Sequence, residues 1–315
     1  MSDLPAFHVR PAQPADAFLA ALLLGATGEP HFHTTAQKLA ERFAAPAHGY
    51  VVGETAGQVT GLGSLWLPEF HPDHAWVGLH LHPDHHAGAA ALLDFLALQA
   101  RAAGRSHLWT SVREDYLPTW PDLPALGFRE VHRTFGGGFH LSDGHLRDWQ
   151  ANTARLEAAL TRQGHHLTSA ASFRQDARLT DLYALTRHDK VTAPPTIDPA
   201  AESLPTENLT DENLSDGDAL WNAAWLAWHG ETLVGLALPE RSRLGAWNAV
   251  LVVHPDHRRQ GLATALLARV VRSLQAGGLP FLNVAGSKRD AAYLGVLRRL
   301  GANIEPDWIA WERGA

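Results

Sequence analysis

The segment Val252–Leu267, VVHPDHRRQGLATALL, holds the residue types and spacing best suited to chemistry. An apolar strand runs into a turn, and Arg258-x-x-Gly261-x-Ala263 then opens an apolar helix. A pyrophosphate fits such a place. Backbone N–H groups at a helix N-terminus point at an anion, and the helix dipole favours it. Gly261 and Ala263 are small, so phosphate oxygens can approach the backbone closely. Arg258 and Arg259 can add charge-assisted hydrogen bonds. The plain alternative is a basic turn ahead of an ordinary helix. P-loop and dinucleotide-fingerprint readings fail, because neither GxxxxGK[ST] nor GxGxxG is present.

The elements that must position this turn are arranged twice along the chain. His-Pro-Asp-His stands at His82–His85 and again at His254–His257, 172 residues apart. Gly61-Leu62 matches Gly235-Leu236, and Leu126-Gly127 matches Leu300-Gly301, each 174 residues apart. Three matches in one order at nearly one offset indicate two tandem copies of one domain. In the first copy, the pattern predicts a strand at Phe7–Arg10 and helices near Pro14–Leu24 and Thr34–Ala44. A hairpin of Tyr50–Glu54 and Gln58–Leu67 follows, turning at Thr55–Gly57. Then come a strand at Ala75–His82, a long helix at His86–Ala103 and a strand at His107–Val112. A short helix ending near Gly127 and two closing strands, Phe128–Arg133 and Phe135–Leu141, complete it, with Gly136–Gly138 as a bulge or turn between them.

The second copy repeats the order with strands at Ala224–His229, Glu231–Pro239, Ala246–Val253 and Phe281–Ala285, and helices at Gln260–Ala276 and Asp290–Leu300. Leu262, Leu266, Val270 and Leu274 stack at i+4 on the first of these helices. Strands interleaved with helices indicate an α/β fold. The expected domains are 1–142, a helical connector 143–165 with Leu146, Trp149, Leu156 and Leu160 as contact residues, and 166–315. Val191–Ala219 differs in kind, with four prolines, seven acidic residues and no Lys or Arg. It reads as a solvated loop, or as a lid that attracts cations.

At 315 residues, two domains are favoured over one. A net charge of −7 argues against a nucleic-acid partner. The absence of cysteine excludes disulfides, thiolate metal sites and a cysteine nucleophile. The start MSDLPAFHVRPAQPADAF lacks a signal pattern, and no apolar run reaches the roughly 20 residues of a membrane span. A cytoplasmic protein with no membrane partner, a monomer or homodimer, is the expectation.

The strand, Arg258-x-x-Gly261-x-Ala263 and the helix together resemble the acetyl-CoA signature of the GNAT superfamily of N-acetyltransferases. The order of elements resembles that family over nearly the whole chain, twice. The resemblance implies two tandem GNAT-like domains, each a mixed, mostly antiparallel sheet flanked by helices. It implies acetyl-CoA as co-substrate and transfer of an acetyl group to a primary amine of a small acceptor, without a metal. Main-chain groups around Leu251, Val252 and Val253 would meet the pantetheine arm. N–H groups of Arg259, Gln260, Gly261, Leu262, Ala263 and Thr264 would cradle the pyrophosphate beside Arg258. Asn283 and Asp290 stand where members carry polar residues near the cofactor.

One departure concerns the acid for the leaving thiolate. Members often place a Tyr four residues before the closing Gly, where this chain has Leu297. Tyr293, one turn earlier, is the catalytic candidate, with a packing tyrosine as the alternative. Glu240 and Glu231 are the carboxylates nearest the expected cleft, and one of Trp221, Trp225, Trp228 and Trp247 could line an acceptor pocket. In the first copy the turn reads HPDHHAGAAALL, with His85 and His86 in place of the arginines and a shorter approach to Gly88. That half is expected to be degenerate. The crowd of His31, His33, His71, His74, His80, His82, His85 and His86 reflects a chain with 20 His rather than a metal site. A rival class of function is a non-catalytic protein that binds acetyl-CoA or a partner and transfers nothing.

Overall fold

The computed structural model describes residues 6–28, 33–45, 49–69, 71–142, 148–188, 219–242 and 245–315. Residues 191–218 of the acidic segment, together with His31 and Leu146, lie outside them. The chain divides into two compact units: Met1–Arg133 with Pro306–Ala315, and Thr134–Glu305.

In the first unit, β1 (Phe7–Pro11), β2 (Gly49–Thr55), β3 (Gln58–Trp66), β4 (His74–Leu81) and β5 (His107–Arg113) lie side by side in that order. β4 and β5 are parallel and the other neighbours antiparallel. Ala56 and Gly57 both take positive φ at the β2–β3 turn, which suits the twist of a two-residue hairpin. Helix α1 (Ala17–Thr27) and α2 (Ala36–Ala44) cover one face through Ala20, Leu23, Leu24 and Leu39. Helix α3 (Ala89–Ala102) covers the other through Leu92, Leu93 and Leu96, all fully buried against Val77, Leu79 and Leu81. Each such side chain contributes about 1.5–3 kcal/mol. The segment before Gly127 is a 3-10 turn at Glu114–Thr119 rather than an α-helix, with Pro118 inside it. A proline lacks the donor an α-helix needs.

The second unit repeats the plan. β7 (His165–Ser169), β8 (Trp225–His229), β9 (Thr232–Ser242), β10 (Gly245–Val253) and β11 (Phe281–Ser287) lie in order, with β10 and β11 parallel. Helix α4 (Asp148–Arg162), α6 (Leu262–Ala276) and α7 (Ala291–Arg299) share one core with this sheet, and α5 (Arg178–His188) packs on a second. The four-residue ladder Leu262, Leu266, Val270 and Leu274 is buried as its periodicity predicts.

The closing strands differ from expectation. Arg129–His140 is one continuous strand, β6, not a hairpin. Its residues Thr134–His140 pair with β11 in the second unit, and β12 (Asn303–Ile304) pairs on their other side. In the first unit, β5 is paired instead by β13 (Trp308–Gly314) from the end of the chain. The glycines that suggested a turn are extended. Gly137 has φ +147°, and a Cβ there would lie 2.1 Å from Asn303 O, while one on Gly138 would lie 2.4 Å from Leu282 O, so these two glycines admit close backbone neighbours. On β13, Glu312 is buried, its Oε1 3.0 Å from His74 Nε2 and its Oε2 accepting from Arg129 at 3.1 Å.

Candidate active site

The candidate site centres on β10, which parts from its neighbour. It pairs with β11 at Ala246↔Leu282 and Trp247↔Asn283, and no pairing continues beyond Trp247 among the described residues. On its other side the ladder with β9 continues to Val253↔Gly235 with one register shift, between Asn248 and Val250. Pro239 stands opposite Asn248. A proline cannot donate to a ladder, and an extra residue in one strand makes a bulge that bends it. From Asn248 to Val253, including Leu251 and Val252, the β11-facing backbone edge has no strand paired to it among the described residues.

The open edge leads to the basic turn. His254 caps Pro255–His257, and its Nδ1 accepts from Asp256 N at 3.4 Å. Arg259 takes φ +63° and Gly261 φ +98°, both left-handed. For arginine that conformation is strained, and such strain clusters at ligand sites. Helix α6 then starts at Leu262, and Ala265 N donates to Gly261 O at 3.0 Å. The N–H groups ahead of Ala265 have no helical acceptor to use. The exposed Arg258 donates from Nε to Val253 O at 2.9 Å, while Gln260 and Ala263 are partly buried beside it. Arg299 of α7 reaches Thr264 Oγ1 at 3.5 Å, so a third guanidinium stands at this helix start. A Cβ on Gly261 would lie 2.6 Å from Leu156 Cδ1 of α4. That side of the glycine faces packing, and its positive φ is what the turn requires.

At the other end of the open edge lie Asn248 and Tyr293. Asn248 Nδ2 donates to Tyr293 Oη at 3.0 Å. Asn248 is 9% exposed, and its Oδ1 is buried without a hydrogen-bond partner among the described residues. Burial pushes the Tyr293 hydroxyl up to about 12, against a smaller downward pull from Asn248. The phenol therefore stays protonated at neutral pH. Asp290 caps α7, its Oδ1 accepting from Tyr293 N at 2.8 Å, so it fixes the residue that carries the hydroxyl. Phe135 of β6 packs on the Tyr293 ring, centroids 6.0 Å apart.

Other expected residues are placed as follows. Asn283 Nδ2 donates to Ala246 O (3.1 Å) and Ser242 Oγ (3.3 Å), tying β11 to β10 just before they part. Glu240 lies opposite Trp247, next to the bulge, whereas Glu231 sits in the β8–β9 turn at the far end of β9. Trp221 and Trp228 are buried, and Trp225 donates to Ser273 Oγ, while Trp247 is 41% exposed beside Asn248. Sequence reading missed Asn248, although an amide in the otherwise apolar run AWNAVLVV was a legible signal. Arg299 carried no such mark, whereas Leu156, expected as a contact residue of the connector, packs at Gly261. Among the described residues, no group of three or more His, Asp or Glu is arranged to hold a metal ion. No described helix is long and apolar enough to cross a membrane.

Residues 182–301 match the model of the Acetyltransferase (GNAT) family. The second unit carries a domain of the GNAT acetyltransferase family. Similar folds extend over nearly the whole chain. A GCN5-related N-acetyltransferase from Sphaerobacter thermophilus is 15% identical with a TM-score of 0.58, over 99% of this chain and 96% of its own. A tandem GNAT protein from the clavulanic acid biosynthesis pathway is 18% identical with a TM-score of 0.53, over 98% of each chain. The glucosamine N-acetyltransferase region of a fungal multi-domain enzyme is 12% identical with a TM-score of 0.59, over 98% of this chain and 38% of that one. At these identities the likeness is one of fold: a tandem GNAT architecture. No curated protein sequence matches the chain.

The GNAT-like first unit lacks both special features of the GNAT domain. Ala75-Trp76 pairs with Leu108 and Trp109 as Ala246-Trp247 pairs with Leu282 and Asn283. Yet the β3–β4 ladder runs from Gly61↔Leu81 to Trp66↔Trp76 without a register shift. Its turn, Pro83–Gly88, is a 3-10 helix, and Gly88 has φ −78° with Phe7 of β1 packed where a Cβ would stand.

Proposed function

We propose that the second unit transfers the acetyl group of acetyl-CoA to a primary amine of a small acceptor, and that the first unit is a degenerate copy that does not hold acetyl-CoA. One observation carries this reading: the bulge after Asn248 and the left-handed turn at Arg259 and Gly261 occur together in the second unit, and the first has neither. The residues fit the co-substrate. The open edge at Leu251, Val252 and Val253 presents main-chain groups to a pantetheine arm. The N–H groups from Arg259 to Thr264, with Arg258, Arg259 and Arg299, suit a pyrophosphate.

Acetyl-CoA supplies the activated acyl group. The chain's part is to hold it against the amine, which by itself accounts for much of the rate in such reactions. Backbone donors of β10 stabilise charge on the carbonyl oxygen. Tyr293, still protonated, gives its proton to the departing sulfur. A thiol has a pKa near 8.5, roughly, so this proton assists a group that can already leave as thiolate. The neutral amine attacks, and its surplus proton passes to water or to a base such as Glu240.

The test is calorimetry with acetyl-CoA followed by an assay of CoA release over a panel of polyamines, aminoglycosides, amino acids and amino sugars. One site per chain and amine-dependent CoA release are expected. Two sites of similar affinity would refute the asymmetry. Tight binding with no release by any amine would make the protein a non-catalytic binder.

A further inference from the structure

Asn248 has two ends, and the structure commits only one of them. An amide nitrogen donates and an amide oxygen accepts. Because Nδ2 donates to Tyr293 Oη at 3.0 Å, the hydrogen on that hydroxyl is not used in the contact and is free for another acceptor. Oδ1 is buried and has no hydrogen-bond partner among the described residues. Buried acceptors in native structures are normally paired, so an unpaired one calls for an explanation. This one sits where β10 leaves β11, beside the exposed Trp247 and one residue from the bulge.

We propose that Asn248 couples the two substrates: Oδ1 accepts an N–H of the incoming amine, while Nδ2 holds the Tyr293 phenol so that its proton points to the leaving sulfur. This rests on the acetyl-transfer reading above and names the group that receives the acceptor. A neutral primary amine has two N–H bonds and a lone pair. One N–H engages Oδ1 and is kept in the product amide. The lone pair forms the C–N bond as the C–S bond breaks. The Tyr293 proton goes to sulfur, the second nitrogen proton leaves to solvent, and Tyr293 recovers a proton from solvent. A secondary amine must lose the one N–H that Oδ1 would hold. Primary amines are therefore the preferred class.

Asn248→Ala, Asn248→Asp and Tyr293→Phe, each checked by circular dichroism, separate the two ends. Asn248→Ala should lower kcat by about 100-fold and raise KM for the amine, with acetyl-CoA affinity unchanged. Asn248→Asp keeps an oxygen for the amine but cannot donate to Oη, so kcat should fall while the amine KM is held. Tyr293→Phe should lower kcat alone, and adding Asn248→Ala to it should lower kcat no further. Ultraviolet titration of tyrosinate reads the contact without turnover. Loss of the Asn248 donor should move the Tyr293 midpoint up. Wild-type kcat and amine KM in Asn248→Ala, or an unmoved titration, would overturn the role of Asn248 alone. A wild-type protein that binds acetyl-CoA and acetylates no amine would overturn the transfer reading, and this role with it.

Discussion

Arg258 and Arg259 are neighbours in sequence with different tasks. Arg258 ties the turn to the end of β10 through Val253 O, and Arg259 accepts a left-handed backbone that places the next N–H groups. Changing both to Ala should weaken acetyl-CoA binding, each charge-assisted bond contributing about 1.5–3 kcal/mol. Calorimetry should show a similar loss for dephospho-acetyl-CoA, because the pyrophosphate is the target. Unchanged affinity would remove the motif from the site. A second residue-scale prediction concerns His80 of β4, whose imidazole burial pushes down to about 4 from 6.5. The unfolded chain binds a proton there that the folded unit refuses. Stability is therefore full above the unfolded value and falls as pH drops towards the folded one, by up to about 3 kcal/mol. Urea unfolding at neutral and mildly acidic pH should show that slope, reduced in His80→Phe. An equal acid slope in that variant would assign the effect to other groups.

At the scale of elements, the start of α6 and the bulge in β10 set the second unit apart from the first. Gly261→Ala places a Cβ against Leu156 in a left-handed backbone, which costs about 1–2 kcal/mol before any clash. Thermal unfolding should show the loss, and adding Leu156→Ala should recover part of it. No recovery would mean that strain, not packing on α4, sets the requirement. Deleting Ala249 should remove the register shift and make β10 run like β4. The expected protein is folded but binds no acetyl-CoA. Retained binding in that deletion would separate the bulge from the site. Both features are partly legible. The turn announces itself through Arg, Arg and Gly at fixed spacing. A bulge depends on what the facing strand offers, and Pro239 lies nine residues from Asn248 with the β9–β10 turn between them.

At the scale of the whole molecule, each unit closes with a strand that the repeat assigns to the other copy: β13 in the first unit and Thr134–His140 in the second. Removing Pro306–Ala315 should strip β5 of its β13 partner and leave His74 and Arg129 without Glu312. Hydrogen exchange should then quicken at β5 amides while α6 amides remain protected. Unaltered protection of β5 would argue against the pairing. The same logic applies to the second unit: 166–315 alone lacks Thr134–His140 beside β11 and Phe135 against Tyr293.

The sequence by itself determined the repeat, most of the strands and helices at the centre of each copy, and the basic turn before α6. These follow from nearest-neighbour rules: apolar periodicity, turn residues, and small and basic residues at a helix start. The tertiary structure alone decided that Arg129–His140 is one strand, that β13 serves the first unit, and that Asn248 meets Tyr293. Glycine illustrates why. Gly136–Gly138 permits a turn and equally permits close approach by another strand, and nothing local separates the two. Asn248 and Tyr293 are 45 residues apart, and their contact exists only because β10 parts from β11 and Asp290 caps α7 beneath it.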